Sequence, residues 1–512
     1  MLRHTIKPHK LLPTSNILAV NNHRGYTSYK QITSLPLDVD HNTTDHNYIK
    51  YLAQNFPELG PYPTYSKYVN PLHFYQNTVM NQWSSKKAHP ITLQQLANFG
   101  KKLSKEKVLS SANFVRLEIA IRIAKKLKDF QILPFAAISN HHLVRVYESY
   151  YNIFESFRKI KPITNLEENE EFCKTLSRML HDNLLSLPHL IMGSLECRIL
   201  NSMTQKNLDE FMSATLRARV SRRLICEEHL SLTDKFKNSS KNIDMDDCIG
   251  DIFYKCSAIE NLQFCASRIT DTYKEVEFLE KDFLLPELII QGNDVKFPFM
   301  VTHLRYIFGE ILRNSYDSTI NNFIYNNGDK PRDFFLKNRP PPIKVTIINA
   351  KNSIEFRFSD QGGGLKGMPI DKIWSFGKNE RIARESLSNF HKIPGLQLAG
   401  DYSPMNFDSS DPAVEKELED EVPHLNIDPD VVDHSANKGG HEFVKANIPN
   451  TLQNLIERPS NFKLNLGLAM CKVYAEYWNG NIVMNSLENY GTDTHLSLSK
   501  LEMSNRLQLD KA

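Results

Sequence analysis

Between Phe74 and about Thr233, apolar residues recur every three or four positions, the spacing that lines one face of an α-helix. Five stretches carry the pattern: 91–104 (ITLQQLANFGKKLS), 114–134 (FVRLEIAIRIAKKLKDFQILP), 142–160 (HLVRVYESYYNIFESFRKI), 171–199 (EFCKTLSRMLHDNLLSLPHLIMGSLECRI) and 208–232 (LDEFMSATLRARVSRRLICEEHLSL). Pro134 and Pro162 punctuate them, since proline lacks the N–H a continuing helix needs. This predicts an antiparallel bundle of four or more long helices. Beyond it one further helix is expected from Asn261 to Val276 and a strand from Leu284 to Ile290. Pro340, Pro341 and Pro342 lead into a strand, KVTIIN, and NSIEFRFSD (Asn352 to Asp360) reads as the next. NIVMNSLENYGTDTHLSL alternates as two strands around a turn at Glu488 to Gly491. His303 to Ile320, HLRYIFGEILRNSYDSTI, returns to helical spacing and is placed as the backing of a mixed sheet. The predicted class is α+β, an N-terminal helical bundle followed by an α/β sandwich.

The His303 helix carries the first candidate chemistry. Glu310 and Asn314 are four residues apart and share one face, while Leu304, Ile307, Phe308, Ile311 and Leu312 supply an apolar stripe. An amide oxygen is a hard ligand suited to Mg²⁺, and a carboxylate one turn earlier can orient or deprotonate a hydroxyl, which suggests phosphoryl transfer. Alone, such a pair on an amphipathic helix is ordinary solvated surface. Two later motifs change the weighing. After the strand ending at Asp360 comes a turn with Gly362, Gly363 and Gly364, where backbone can approach a ligand closely and the Asp can accept from an adenine amino group. Near the C-terminus, Thr492 follows Gly491 in YGTD, where its hydroxyl and amide are expected to hold a phosphate. The Gly-x-x-x-x-Gly-Lys-Ser/Thr motif is absent, as is the His-Arg-Asp and Asp-Phe-Gly pair of ordinary protein kinases.

These three motifs, in this order, resemble the GHKL ATPases. The resemblance narrows with ITLQQLANFG, FVRLEIAIRIAKKLKDFQILP, RARVSRRLICEEH and VYAEYWNGNIVMNSLENYGTD, which look like the mitochondrial protein kinases of 2-oxoacid dehydrogenase complexes. That family comprises the pyruvate dehydrogenase kinases and branched-chain 2-oxoacid dehydrogenase kinase, and the likeness covers roughly residues 74–500. It implies a helical domain at 74–240 and a GHKL nucleotide domain at 241–500. It further implies Mg-ATP as phosphoryl donor, a serine of the decarboxylase α subunit of the pyruvate dehydrogenase complex as acceptor, and a lipoyl domain of the acyltransferase core as docking site. A homodimer, or a heterodimer with a paralogue, is implied too. Branched-chain 2-oxoacid dehydrogenase kinase, or a catalytically weak ATP-binding scaffold on the same complex, is the alternative reading. Position by position, Glu310 matches the general base, Asn314 the Mg²⁺ ligand and Asp360 the adenine-reading acid. Gly362 and Gly364 match the first glycine turn, Gly467 the last glycine of the second, and Thr492 the threonine near the nucleotide.

The chain also departs from that pattern. Tyr306 stands where many members have a His one turn before the Glu, and His303 lies a further turn back. Lys463 and Asn465 replace two glycines of the second turn, and Asn tolerates left-handed backbone better than most residues. Asp317 stands where the family usually has Arg, and the C-terminal Asp-Trp of several pyruvate dehydrogenase kinases is missing. Residues 395–460 form an insertion within the expected phosphate lid; Asp401 to Asp433 holds eleven acids and one base, Lys416, the composition of a disordered arm.

Composition adds little to this. A net charge of +3 gives no basis for nucleic-acid binding, and no apolar run reaches membrane-spanning length. Seven cysteines, odd in number and without a C-x-x-C pair, favour reduced thiols over disulfides or zinc. Residues 1–30 contain no Asp or Glu but carry Arg3, Lys7, Lys10, Arg24 and Lys30, the composition of a mitochondrial presequence and hence of a matrix protein. A loose lead-in at 31–73 and a tail at 501–512 complete the expected organisation. His181 is expected to be structural rather than a phospho-acceptor, and Trp374 and Trp478 core anchors. Arg217, Arg219, Arg222 and Arg223 are expected to form a solvated or ion-paired face rather than a binding patch.

Overall fold

The computed structural model describes residues 77–89, 103–138, 140–182, 186–238, 248–249, 253–274, 283–390 and 462–500, with residues 74, 452, 455 and 458. The expected presequence, the expected lead-in up to 73, most of the predicted 91–104 helix, the acidic stretch at 401–433, the tail and the His181 side chain lie outside the described residues.

The first half is helical: α1 (Thr78–Ser84), α2 (Lys105–Gln131), α3 (Phe135–Ile138), α4 (His141–Lys159), α5 (Leu166–Asp182), α6 (Ser186–Ile199) and α7 (Gln205–Asn238). α2 begins nine residues before its predicted start because Ser104 caps it, its hydroxyl accepting from the Lys107 N–H. The apolar run 171–199, read as one pattern, belongs to two helices, α5 and α6. α2 packs against α4, α7, α1 and α5, and α6 packs against α4. Their core is aromatic at its centre, with Phe130 set edge-on to Phe211 at 5.0 Å.

The second half holds β1 (Cys248–Ile249), β2 (Phe253–Ser257), α8 (Ala258–Lys274), β3 (Leu288–Gln291), β4 (Lys296–Phe299), α9 (Val301–Asn326), α10 (Arg332–Lys337), β5 (Ile343–Asn349), β6 (Ser353–Ser359), α11 (Ile370–Ile373), α12 (Glu380–Phe390), α13 (Gly467–Tyr477), β7 (Asn481–Leu487) and β8 (Gly491–Ser499). The main sheet runs β3-β5-β6-β8-β7, parallel at β3–β5 and antiparallel elsewhere, and a small antiparallel sheet runs β1-β2-β4. Mixed helix and sheet agree with the α+β expectation. β3 starts four residues later than predicted, beyond Pro286, which has no N–H for a ladder. The three short strands of the small sheet carry too few alternating positions to be recognised from the sequence.

Ile354, Phe356 and Phe358 of β6 are buried, and Phe308 of α9 meets Phe356 at 4.9 Å between ring centres. The hairpin pairs Leu487 with Gly491 around the predicted turn, which carries Asn489 at φ 63°. Trp478 is fully buried, while Trp374 is only partly buried and packs at the edge of the core. The described cysteines Cys173, Cys197, Cys226, Cys256, Cys265 and Cys471 are free thiols. No helix of the described residues is long and apolar enough to cross a membrane.

The arginine run on α7 is spent on internal contacts. Arg217 pairs with Glu476 of α13 at 2.6 Å, Arg223 pairs with Glu227 at 2.6 Å, and Arg222 lies over the Tyr150 ring at 4.5 Å. Arg219 is hydrogen-bonded to Ser186 at 3.0 Å.

Candidate nucleotide site

α9 runs along the floor of a cavity of about 880 Å³, within the range of small-molecule sites. Glu310, Asn314, Asp360, Gly362, Gly364, Gly467 and Thr492, far apart in sequence, all line it. The cavity exists because the turn after β6, the end of β8 and the start of α13 converge on one helix face.

Asp360 is the most heavily bonded of these residues. Its buried carboxylate accepts from Gly362 N at 3.0 Å, Thr492 N at 3.0 Å, Ser315 Oγ at 3.1 Å and Thr492 Oγ at 2.6 Å. An acid held by four donors is fixed in position and presents a charge-assisted acceptor to anything entering beside it. The same bonds revise the expectation for Thr492. Its amide and hydroxyl both donate to Asp360, so neither is free to donate to a phosphate. Gly362 is required by close approach rather than by its backbone angle: a Cβ there would lie 2.3 Å from Ser318 Oγ on α9.

Glu310, one turn before Asn314, is buried and meets a partner that the spacing of motifs did not reveal. Arg458 grips both carboxylate oxygens, at 2.5 and 3.0 Å, and both side chains are almost fully buried. Arg458 also donates to Phe462 O at 3.1 Å and to Leu455 O. Gly467 opens α13 directly against this pair, and a Cβ at that position would fall 1.9 Å from Glu310 Oε2. Its missing side chain makes room for the carboxylate.

Tyr306, in place of the expected histidine, points its hydroxyl to Met470 Sδ at 3.4 Å. His303 accepts from Trp478 Nε1 at 3.0 Å and stacks on Tyr474 at 4.7 Å, and burial pushes its pKa down to about 3. It is a neutral packing residue and does not replace the missing histidine. Asp317 takes a hydrogen bond from the Tyr273 hydroxyl, and burial holds its carboxyl above the usual range, partly offset by Lys463. Asn465 adopts φ 56°, the left-handed backbone its glycine-like position asks for, and its amide donates to Ser386 Oγ on α12 at 3.0 Å.

Among the described residues no group of three or more His, Cys, Asp or Glu side chains could cage a metal ion. Asn314 fits a different arrangement. It is exposed into the cavity, and its side-chain amide makes no hydrogen bond to the described residues. Mg²⁺ keeps several waters and takes phosphate oxygens beside one or two protein ligands, so a single unbonded amide suits it.

The helical half reaches this cavity through a contact that no motif marks. Asp209 of α7 accepts from Ser375 Oγ at 2.8 Å, Phe376 N at 2.6 Å and Gly377 N at 3.3 Å, and Arg198 of α6 donates to Lys378 O at 3.0 Å. Gly377 and Lys378 line the cavity, so two helices of the first half hold one of its walls.

A family model described as mitochondrial branched-chain alpha-ketoacid dehydrogenase kinase matches residues 90–253. The chain is 40% identical over 463 residues to the mitochondrial pyruvate dehydrogenase (acetyl-transferring) kinase 2 of Saccharomyces cerevisiae, covering 88% of this chain and 91% of that one. It is 22% identical over 428 residues to the mitochondrial pyruvate dehydrogenase (acetyl-transferring) kinase of Arabidopsis thaliana, covering 82% and 93%. Isozyme 4 of Homo sapiens is 23% identical over 310 residues, covering 56% and 67%.

Proposed function

The chain belongs to the mitochondrial family of pyruvate dehydrogenase kinases, and we propose that it transfers the terminal phosphoryl group of ATP to a serine of the decarboxylase α subunit of the pyruvate dehydrogenase complex, inactivating it. The observation that carries the reading is the single cavity lined by Asp360, Asn314 and Glu310, in a chain 40% identical to a pyruvate dehydrogenase kinase over most of its length.

In this reading the β3-β5-β6-β8-β7 sheet with α9 and α13 is a GHKL nucleotide domain at 241–500, and the helices at 74–240 form the docking and dimerisation domain. Asp360 accepts from the adenine amino group, with Thr492 and Ser315 holding the acid in place. Gly362 and Gly364 let the turn approach the nucleotide. Asn314 holds Mg²⁺, which when bound neutralises phosphate charge. Glu310 orients the serine hydroxyl and takes its proton as the oxygen attacks in line, so positioning and electrostatics supply most of the rate. The first 30 residues direct the protein to the matrix, where a lipoyl domain is its docking partner.

The family model matching residues 90–253 favours a second reading, in which the substrate is the branched-chain 2-oxoacid dehydrogenase. Phosphate transfer from labelled ATP to the two purified dehydrogenases, assayed side by side, decides between them. Preferential labelling of the pyruvate dehydrogenase α subunit is the expected result. Preferential labelling of the branched-chain enzyme reverses the assignment, and labelling of neither leaves the scaffold.

A further inference from the structure

The ion pair between Arg458 and Glu310 is out of place for the role given to Glu310. A general base must offer a lone pair to the hydroxyl it activates. Here both carboxylate oxygens are taken by one guanidinium, at 2.5 and 3.0 Å, and the side chain is 2% exposed. In this arrangement a serine hydroxyl must compete with the guanidinium for the carboxylate's lone pairs.

A purely structural pair is the simpler explanation, and the chain contains one for comparison. Arg122 and Glu118 of α2 pair at 2.7 Å in the helical core, where Arg122 also bonds Ser221 Oγ at 2.7 Å and His89 O at 2.9 Å. That guanidinium is surrounded by fixed protein acceptors in the helical core. Arg458 is likewise held by protein acceptors, Phe462 O and Leu455 O, but it and Glu310 both line the nucleotide cavity. A base placed to take a proton from the attacking oxygen lies within about 5–7 Å of the phosphorus under attack, given hydrogen-bond and near-attack distances. A guanidinium paired with that base is therefore within one side-chain swing of the terminal phosphate. Guanidinium forks match phosphate oxygens as well as carboxylates, so the two anions compete for one cation.

We propose that Arg458 is a nucleotide-responsive partner of Glu310: it covers the base while the site lacks a terminal phosphate and leaves it for that phosphate when ATP binds. One movement then uncovers the acceptor for the serine hydroxyl and adds a positive charge where the transferring group develops negative charge. The base becomes available only beside a phosphoryl donor. The inference rests on the nucleotide-site reading above and adds to it a positioning residue, Arg458, with the terminal phosphate as its ligand.

The test is a cycle of nucleotide titrations by calorimetry on the full chain, with Mg-ATP and Mg-ADP as probes. Glu310→Gln removes the competing charge and keeps the shape, so it should tighten ATP by roughly tenfold, the scale of one charge-assisted hydrogen bond, and leave ADP unchanged. In the double variant, Glu310→Gln with Arg458→Met, the tightening should vanish, and ATP should bind no better than to the unaltered chain. The double variant also replaces both buried charges, so it stays testable where Arg458→Met alone fails to fold; thermal unfolding of each variant checks this. No tightening in Glu310→Gln, equal tightening of ATP and ADP, or tightening that persists without Arg458 each overturns the proposal, the last two by showing simple relief of charge repulsion. Absence of any ATP binding by the unaltered chain overturns the nucleotide-site reading itself, and the proposal with it.

Discussion

Replacing Asp360 separates the fold from base recognition, provided the substitution is Asn rather than Ala. Asp360→Ala strands four donors: two backbone amides, at Gly362 and Thr492, and the hydroxyls of Ser315 and Thr492. Each buried group left unmatched costs about 1–3 kcal/mol, so the Ala variant loses enough to confound any binding measurement. Asp360→Asn keeps one oxygen for the two amides and sets an NH₂ group towards the two hydroxyls, which can rotate to accept. The fold should then lose only about 1–3 kcal/mol. An NH₂ group cannot accept from the adenine amino group, and losing that charge-assisted bond, about 1.5–3 kcal/mol, weakens ATP by about 10- to 150-fold. UTP carries no amino group on its base, so its affinity should change by less than about threefold, the scale of a few tenths of a kcal/mol. Titration of both nucleotides into the Asn variant, with thermal unfolding alongside, measures each effect. Equal weakening of ATP and UTP, or unchanged ATP affinity, refutes the assignment of Asp360 to the base.

Other substitutions probe the remaining walls of the cavity. Gly467→Ala should cost about 1–3 kcal/mol by overpacking, because its Cβ would meet Glu310 Oε2 at 1.9 Å, and turnover should fall with it; an unchanged melting temperature would show that the carboxylate gives way freely. Asn314→Ala should abolish Mg-ATP turnover with little change in stability, since Ala suits a helix, and near-normal phosphate transfer would remove Asn314 from the metal site. Asp209→Ala releases the Ser375–Gly377 turn and should weaken ATP by roughly tenfold, the scale of one lost charged hydrogen bond, while circular dichroism of the helices stays unchanged. Unaltered ATP affinity there would show that the helical half does not support the cavity wall.

Elements whose apolar pattern is long and regular were legible in the chain itself. α9 and the β7–β8 hairpin fall where periodicity places them, because a helix face or an alternating strand is written within a few residues of one another. Motif order brought Glu310, Asn314 and Asp360 into one group and the family resemblance added Gly467; all four line one cavity, and the left-handed backbone at Asn465 follows its residue type. The short strands β1, β2 and β4 carry too little pattern, and β3 begins later than its apolar run because Pro286 has no donor for a ladder.

What the sequence by itself determined about this protein is thus its regular elements and a set of candidate residues that one cavity brings together. Their partners were decided by tertiary structure alone. Glu310 and Arg458 are 148 positions apart, Asp360 and Thr492 are 132 apart, and Asp209 and Phe376 are 167 apart. No local spacing encodes such pairs, because a carboxylate's preference for a donor is the same for every Arg, amide or hydroxyl in the chain. Which one it meets depends on how the helices and the sheet pack, and that packing joins Thr492 to Asp360 and Arg458 to Glu310.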